Sequence, residues 1–175
     1  CSRPTTRRCN GSRRTPRCRA PTAGALLGRI ELARMDTRDD AKSVKLPPAL
    51  ARDVREHVAR DDREITDGYE RQAVITTGAY ALRRAGLMSE SDALLKANLA
   101  KSHSPYYLMS QLAGNARKLG HKEEALRWYG QAFDKSVGPA TRLQWGAQYL
   151  AALGDLAPGD AARIGDGVGL HLAAG

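Results

Sequence analysis

Aromatic side chains are missing from the first 68 residues of this 175-residue chain; all nine lie between Tyr69 and Tyr149. Large core-filling side chains are therefore confined to its middle and later parts. Cysteine is nearly as scarce, with three residues at positions 1, 9 and 18 and none afterwards. No Cys-x-x-Cys pair occurs, so this sequence holds neither a redox dithiol nor a zinc ribbon. Three thiols are also too few for a disulfide scaffold. No apolar run approaches the ~18–20 residues of a membrane span. The histidines at 57, 103, 121 and 171 lack metal-ligand spacing and read as surface or packing residues. No hydrolytic triad, phosphate-binding glycine loop or metal constellation is present, so no catalytic residue, metal or cofactor is expected. The adjacent acids Asp39-Asp40 and Asp61-Asp62 read as solvated loop or cap residues rather than as acid/base pairs.

Acidic residues are absent from positions 1–19, which hold seven arginines. That stretch carries most of the formal net charge of +9; the rest of the chain is close to neutral. A basic arm can bind phosphate by counterion release. This one has no aromatic residue on which to stack a base, which argues against a nucleic-acid partner. Residues 1–24 are rich in Arg, Pro, Thr, Ser and Gly and cannot offset their own ordering entropy, so a disordered basic tail is expected there. A start at Cys1 rather than Met fits a fragment, a processed product, a mature lipoprotein or a misassigned gene start. The residue mixture of this tail also matches a GC-rich frame read out of register. The apolar share of 42% and charged share of 27% are ordinary for a globular domain.

What is present is helical periodicity. Residues 25–35 fit a short helix or strand, and 36–45 a polar loop, so 25–46 reads as a linker or partly ordered segment. After Pro47-Pro48, the residues Leu50, Val54 and Val58 recur at helical spacing and predict a helix over about 48–61. A second follows Asp67-Gly68-Tyr69 and runs to Ala85, with Val74, Ile75, Ala79 and Leu82 as its stripe and Gly86 as its stop. Ser89 and Asp92 resemble a capping box opening a third, which ends near Ser102. Ser104-Pro105 opens a fourth as N-cap and first helical residue. Lys122 starts a fifth after Gly120. Gly138-Pro139 starts a sixth, with Leu143, Ala147 and Leu150 on one face and Gly154 as its stop. Pro158 opens a last one through Ile164. No strand is expected over 47–160, so the fold class is all-α.

Gly86, Gly120 and Gly154 are spaced by 34 residues, and each follows similar text such as Arg117-Lys118-Leu119-Gly120. A 34-residue helical-hairpin period is that of tetratricopeptide repeats. The best copy is Tyr106–Pro139, with Ala125 small at the helix crossing and Tyr129 and Ala132 packing under the next hairpin. A looser copy spans 72–105, with Ala93, Ala97 and Ala100 as small packing residues. A third, from Ala140, matches through its first helix. The expectation is a tetratricopeptide-like domain over 47–172. The first helices of such hairpins line a concave surface. The pattern places Thr76, Tyr80, Arg83, Tyr107, Ser110, Arg117, Thr141, Gln144 and Gln148 on that surface. Hydroxyl, amide, aromatic and guanidinium groups suit a protein or peptide partner; the bland alternative is that they are ordinary half-exposed residues.

Three phrases carry a more specific likeness. They are Asp67-Gly68-Tyr69-Glu70-Arg71-Gln72-Ala73-Val74-Ile75; Ala93-Leu94-Leu95-Lys96-Ala97 with Lys101-Ser102-His103-Ser104-Pro105-Tyr106-Tyr107; and Gly138-Pro139-Ala140-Thr141-Arg142-Leu143-Gln144-Trp145-Gly146 with Asp155-Leu156-Ala157-Pro158. With them, residues 26–164 resemble the helical C-terminal region of bacterial thioredoxin-family proteins, the thiol:disulfide interchange proteins or disulfide isomerases. The resemblance implies redox chemistry in an N-terminal thioredoxin domain with a Cys-x-x-Cys site, in a periplasmic or exported protein. This sequence holds neither that domain nor an export signal, so no catalytic residue carries over. The implied function is a non-catalytic helical interaction module, the C-terminal part of such a protein. The alternative is a fragment of a disulfide oxidoreductase or isomerase whose Cys-x-x-Cys domain lies outside this chain; as written it would be redox-inactive, because exchange needs a positioned thiolate. The ligand and oligomeric state stay open.

Overall fold

The computed structural model describes residues 22–36 and 46–165, and no strand occurs among them. The expected tail falls almost wholly outside the described residues, as do the end of the expected domain and the expected loop at 36–45 apart from Asp36, which ends α1. Seven α-helices follow in order: α1 (Ala23–Asp36), α2 (Pro48–Glu64), α3 (Gly68–Arg84), α4 (Met88–Asn98), α5 (Pro105–Leu119), α6 (Lys122–Lys135) and α7 (Pro139–Leu156). A 3-10 turn, Leu99–Lys101, extends α4. Residues 161–165 are also helical. For residues 25–35, left open between helix and strand, the structure shows helix.

Local chemistry sets most boundaries. Proline opens α2, α5 and α7, where its missing N–H costs nothing. The Asp67 carboxylate accepts from the Tyr69 and Glu70 amides, each at 3.0 Å, and starts α3. The Ser89–Asp92 capping box does not form. The residue before α4 is Leu87, without a side-chain cap, and Asp92 instead accepts from Asn115. Ser104 precedes α5, yet its hydroxyl accepts from the Tyr106 hydroxyl rather than from the helix amides.

Two of the three regularly spaced glycines end helices as expected. Gly86 (φ 79°) and Gly120 (φ 80°) are left-handed. Leu87 N–H then donates to Leu82 O, and His121 N–H to Ala116 O, both at 2.9 Å, so orphan carbonyls of the last turn are satisfied. Gly154 differs. Its φ is not positive, and α7 runs on to Leu156. Leu153 and Ala152 seat against Leu126 with the backbone still helical, and the helix stops just short of Pro158.

The core is a succession of clusters. Leu26 and Ile30 of α1 meet Leu50, Val54 and Val58 of α2 and Leu82 of α3. Ile75, Ala79, Leu95, Leu108 and Leu112 join α3, α4 and α5. Met109, Phe133, Ala132 and Trp145 join α5, α6 and α7. Leu126, Leu153 and Ala152 close the far end. Each helix packs on its sequence neighbours, and α3 also touches α1 and α5.

Two faces are turned differently from the apolar pattern. Ala93, Ala97 and Ala100 are exposed, while Ser91, Leu95 and Asn98 point inward. Leu143, at 51% exposure, and Ala147 face outward, and α7 buries Trp145, Gly146, Ala152 and Leu153. The polar residues are tolerated inside because each is bonded. Ser91 Oγ donates to Ala79 O at 2.9 Å and accepts from Asn115 Nδ2 at 3.1 Å. Asn115 Nδ2 also donates to Asp92 Oδ1 at 2.7 Å. Arg71 closes the end of α2 by donating to the Asp62 and Ile65 carbonyls at 2.7 and 2.8 Å, and reaches Asn98 Oδ1 at 2.6 Å and the Asp62 carboxylate.

Replacing Gly120 by Ala should cost about 1 kcal/mol, because a side chain is strained at that φ. Gly154→Ala should instead stabilise by about 0.5–1 kcal/mol, since it sits in a helix with open space at its Cβ. Urea denaturation of the two variants checks the opposite signs. Asn115→Ala should cost about 1–3 kcal/mol, because it leaves Asp92 and Ser91 short of a partner, and should lower the midpoint without changing the slope.

Candidate functional site

An open groove of about 550 Å³ runs between α3, the turn before α5, α5 and α7. Along α3 it is lined by Tyr69, Gln72, Ala73 and Thr76, one residue per helical turn or its neighbour. His103 and Ser104 form one end, and Tyr106, Tyr107, Ser110 and Gln111 supply the α5 wall. Trp145 of α7 completes it.

Those rings form two groups. Tyr106 and Tyr107 lie 5.0 Å apart between centroids, and both contact Trp145, at 5.8 and 5.4 Å, the second edge-on. Tyr69 leans on His103 at 4.9 Å and is otherwise 81% exposed. Such pairs gain from edge-to-face contact beyond their buried area. Several polar groups are already engaged. Thr76 Oγ1 donates to the Gln72 and Ala73 carbonyls, Gln111 Nε2 donates to Thr76 O at 3.0 Å, and the Ser102 hydroxyl donates to Gln72 Oε1. Two are not. Gln72 Nε2 and Trp145 Nε1 are buried donors with no acceptor among the described residues. No Asp, Glu, Lys or Arg lines the groove.

Of the nine residues expected on the concave face, Thr76, Tyr107 and Ser110 line this groove. Gln148 is tied to it, since Ser110 Oγ donates to Gln148 Oε1 at 3.0 Å. Tyr80 and Arg83 lie further along α3, the guanidinium 5.0 Å from the Tyr80 ring centroid. Gly114 makes room for that arginine, because a Cβ there would lie 3.3 Å from Arg83 Nη1. Arg117 pairs with Asp155 of α7 at 2.8 Å. Thr141 and Gln144 stand on α7 outside the lining. The residues missed were Tyr69, Gln72, Ala73, His103, Ser104, Tyr106, Gln111 and Trp145. Counting the Thr76 stripe backwards by three and seven would have reached Ala73 and Tyr69.

Beyond the groove, the basic last turns of α1, α3 and α5 approach one another. Burial and the charges of Arg83, Arg84 and Arg34 hold the Lys118 ammonium below the usual lysine pKa. Arg84 is partnered by Glu31, with Nε to Oε1 at 2.6 Å, and that bond holds the Glu31 carboxyl below its usual range. Cations at helix C-termini offset the exposed carbonyl ends.

A second cavity, of about 140 Å³, lies between α1, α2 and α3. Leu26, Val54, Val58 and Val74 wall it, with His57, Asp61 and Thr77 as its polar members. Arg60 Nη2 donates to His57 Nδ1 at 2.7 Å, which places the ring proton on Nε2. Nε2 lies 3.1 Å from Asp61 Oδ2 but without hydrogen-bond alignment. Burial holds His57 below its ordinary pKa of 6.5; the Asp61 charge opposes this and the Arg60 charge adds to it. Asp61 and Asp62, expected as solvated loop or cap residues, are helix-end acids. They sit in the last turn of α2, and each faces its own basic partner, Asp61 with Arg60 and Asp62 with Arg71.

Compared with protein-family models, curated proteins and solved structures, the chain matches none of them. No group of three or more His, Cys, Asp or Glu side chains able to hold a metal occurs among the described residues. No helix among them is long and apolar enough to cross a membrane.

Because the folded pKa of His57 is lowered, the unfolded chain takes up its proton first as pH falls. Stability should therefore decline as pH drops through 6.5. His57→Gln should flatten that part of the profile, as read by urea midpoints between about pH 7.5 and 5.

Proposed function

We propose that this chain is a non-catalytic, tetratricopeptide-like interaction module and that the groove between α3, α5 and α7 holds an extended peptide. One observation carries this: the rings of Tyr69, Tyr106 and Tyr107 line a cleft free of charged side chains. Buried aromatic anchors with a few fixed polar groups are what peptide recognition uses. The repeat reading is supported by Gly86 and Gly120, 34 residues apart in the same left-handed turn, and by helices that pack mainly on sequence neighbours.

We further propose that the module is the C-terminal part of a thioredoxin-family thiol:disulfide interchange protein. The three sequence phrases support it, since they include Tyr69, Gln72, Tyr106, Tyr107 and Trp145 of the groove. The described residues contain no cysteine, so any exchange chemistry would come from a thiolate outside them. The alternative stays that of an oxidoreductase or isomerase fragment whose Cys-x-x-Cys domain is encoded apart. Reading the coding DNA upstream of Cys1 in all three frames tests the family assignment. A Trp-Cys-x-x-Cys segment supports it, and an in-frame start without one removes it.

For the groove itself, panning the full chain against a library of random ten-residue peptides should select ligands. Their affinity should fall about tenfold or more on Tyr107→Ala. Equal binding to that variant, or an empty selection, would overturn the assignment.

A further inference from the structure

We propose that the cavity between α1, α2 and α3 binds a small neutral molecule, an apolar body of about six to eight non-hydrogen atoms that carries one hydroxyl. The site is separate from the groove and does not rest on the peptide-binding assignment.

Size sets the first limit. The cavity measures about 140 Å³. An apolar cavity of ~150 Å³ takes benzene or xenon, so a six-membered ring with one substituent fits here. The sequence explains why no side chain fills the space. α1 and α2 belong to the stretch without aromatic residues, and α3 presents Ala73, Gly78 and Ala81 to the cavity. Val54, Val58 and Val74 stand beside them, and Leu26 is the largest aliphatic side chain of the lining. A gap among packed side chains forfeits dispersion contacts, and a guest of matching size restores them. Water gains little there, because most of the lining offers it no partner.

Access and polarity choose the ligand. Leu26, Val54, Val58 and Ala81 are buried, Ala23, Val74 and Thr77 are half-buried, and Ala73 is exposed. The lining therefore runs from a buried apolar floor to a rim that meets solvent, and a guest enters without unfolding the chain. His57, Asp61 and Thr77 are the polar members. Asp61 Oδ1 accepts from Arg60 Nη2 at 3.1 Å, while Oδ2 accepts no hydrogen bond among the described residues. The Asp61 side chain keeps 18% of its surface accessible, and Oδ2, unlike His57 Nε2, is not sealed off. A hydroxyl supplies the missing donor. Ionic ligands are disfavoured from both sides: a cation would meet Arg60, and an anion would meet Asp61. Burial holds His57 below its ordinary pKa, so its ring adds no charge at neutral pH.

The probes are benzene and phenol, each added to the full chain carrying ¹³C-labelled methyl groups. No Phe, Tyr or Trp lines the cavity, so the ring current of a bound probe governs the shifts there. Methyl signals of Leu26, Val54 and Val58 should move saturably, with a phenol dissociation constant below about 1 mM. Those of Leu126 and Leu153, in the cluster at the far end, should stay fixed. Phenol should bind about tenfold more tightly than benzene. Asp61→Asn should narrow that ratio severalfold, because a charged acceptor holds a hydroxyl more strongly than a neutral one. Two filling variants, Val74→Phe and Ala73→Leu at the exposed rim, should each weaken phenol about tenfold or more. Either one decides if the other does not fold. No saturable shift at millimolar probe would overturn the proposal, as would a folded filling variant that binds phenol like the parent. Equal affinity for benzene and phenol would overturn the assigned ligand, since a packing gap without a polar rim takes both alike.

Discussion

Asn115 sets the spacing of three helices. Its amide donates to Ser91 of α4, and the Ser91 hydroxyl donates in turn to the carbonyl of Ala79 on α3. All these atoms are buried, so a shift of register would leave several polar groups unpaired at once. One turn earlier on α5, Gln111 donates to the carbonyl of Thr76. Two bonds from α5 thus reach α3, one direct and one through α4. The groove inherits its width from them, because Thr76 and Gln111 are both lining residues. Arg71 does a similar service at the other end of α3, where it ties the last carbonyls of α2 to Asn98 of α4.

The opposite wall is held by other means. Between α5 and α7 the links are the Tyr106, Tyr107 and Trp145 rings, the Ser110–Gln148 bond and the Arg117–Asp155 pair. Both polar links are exposed, and exposed ion pairs contribute little. The α3 wall is thus fixed by buried directional bonds, and the α7 wall by packing of aromatic edges.

Much of the helical order was legible because its signals are local. Proline at N1, Asp67 as N-cap, left-handed glycines and apolar spacing act within one or two turns. Gly154 misled because spacing alone does not impose a left-handed turn; α7 stays helical through it. The inward face of α4 was hidden for a different reason. Ser91 and Asn98 look like surface residues until Ala79 O, Asn115 and Arg71 arrive from other helices. The groove was legible along α3 and α5 only from Thr76 and Tyr107 onward. Trp145 was absent from the apolar stripe read for its helix, and it is core on one side and groove wall on the other.

The segmented core bears on how the chain opens. Each cluster joins adjacent helices, so most contacts close short loops, and a fold of this kind has low contact order and should form quickly. It also lacks a single centre that every helix must reach. Unfolding can begin at α1 or at α7 while the middle holds, and amide hydrogen exchange would then be graded from the ends inward to Asn115.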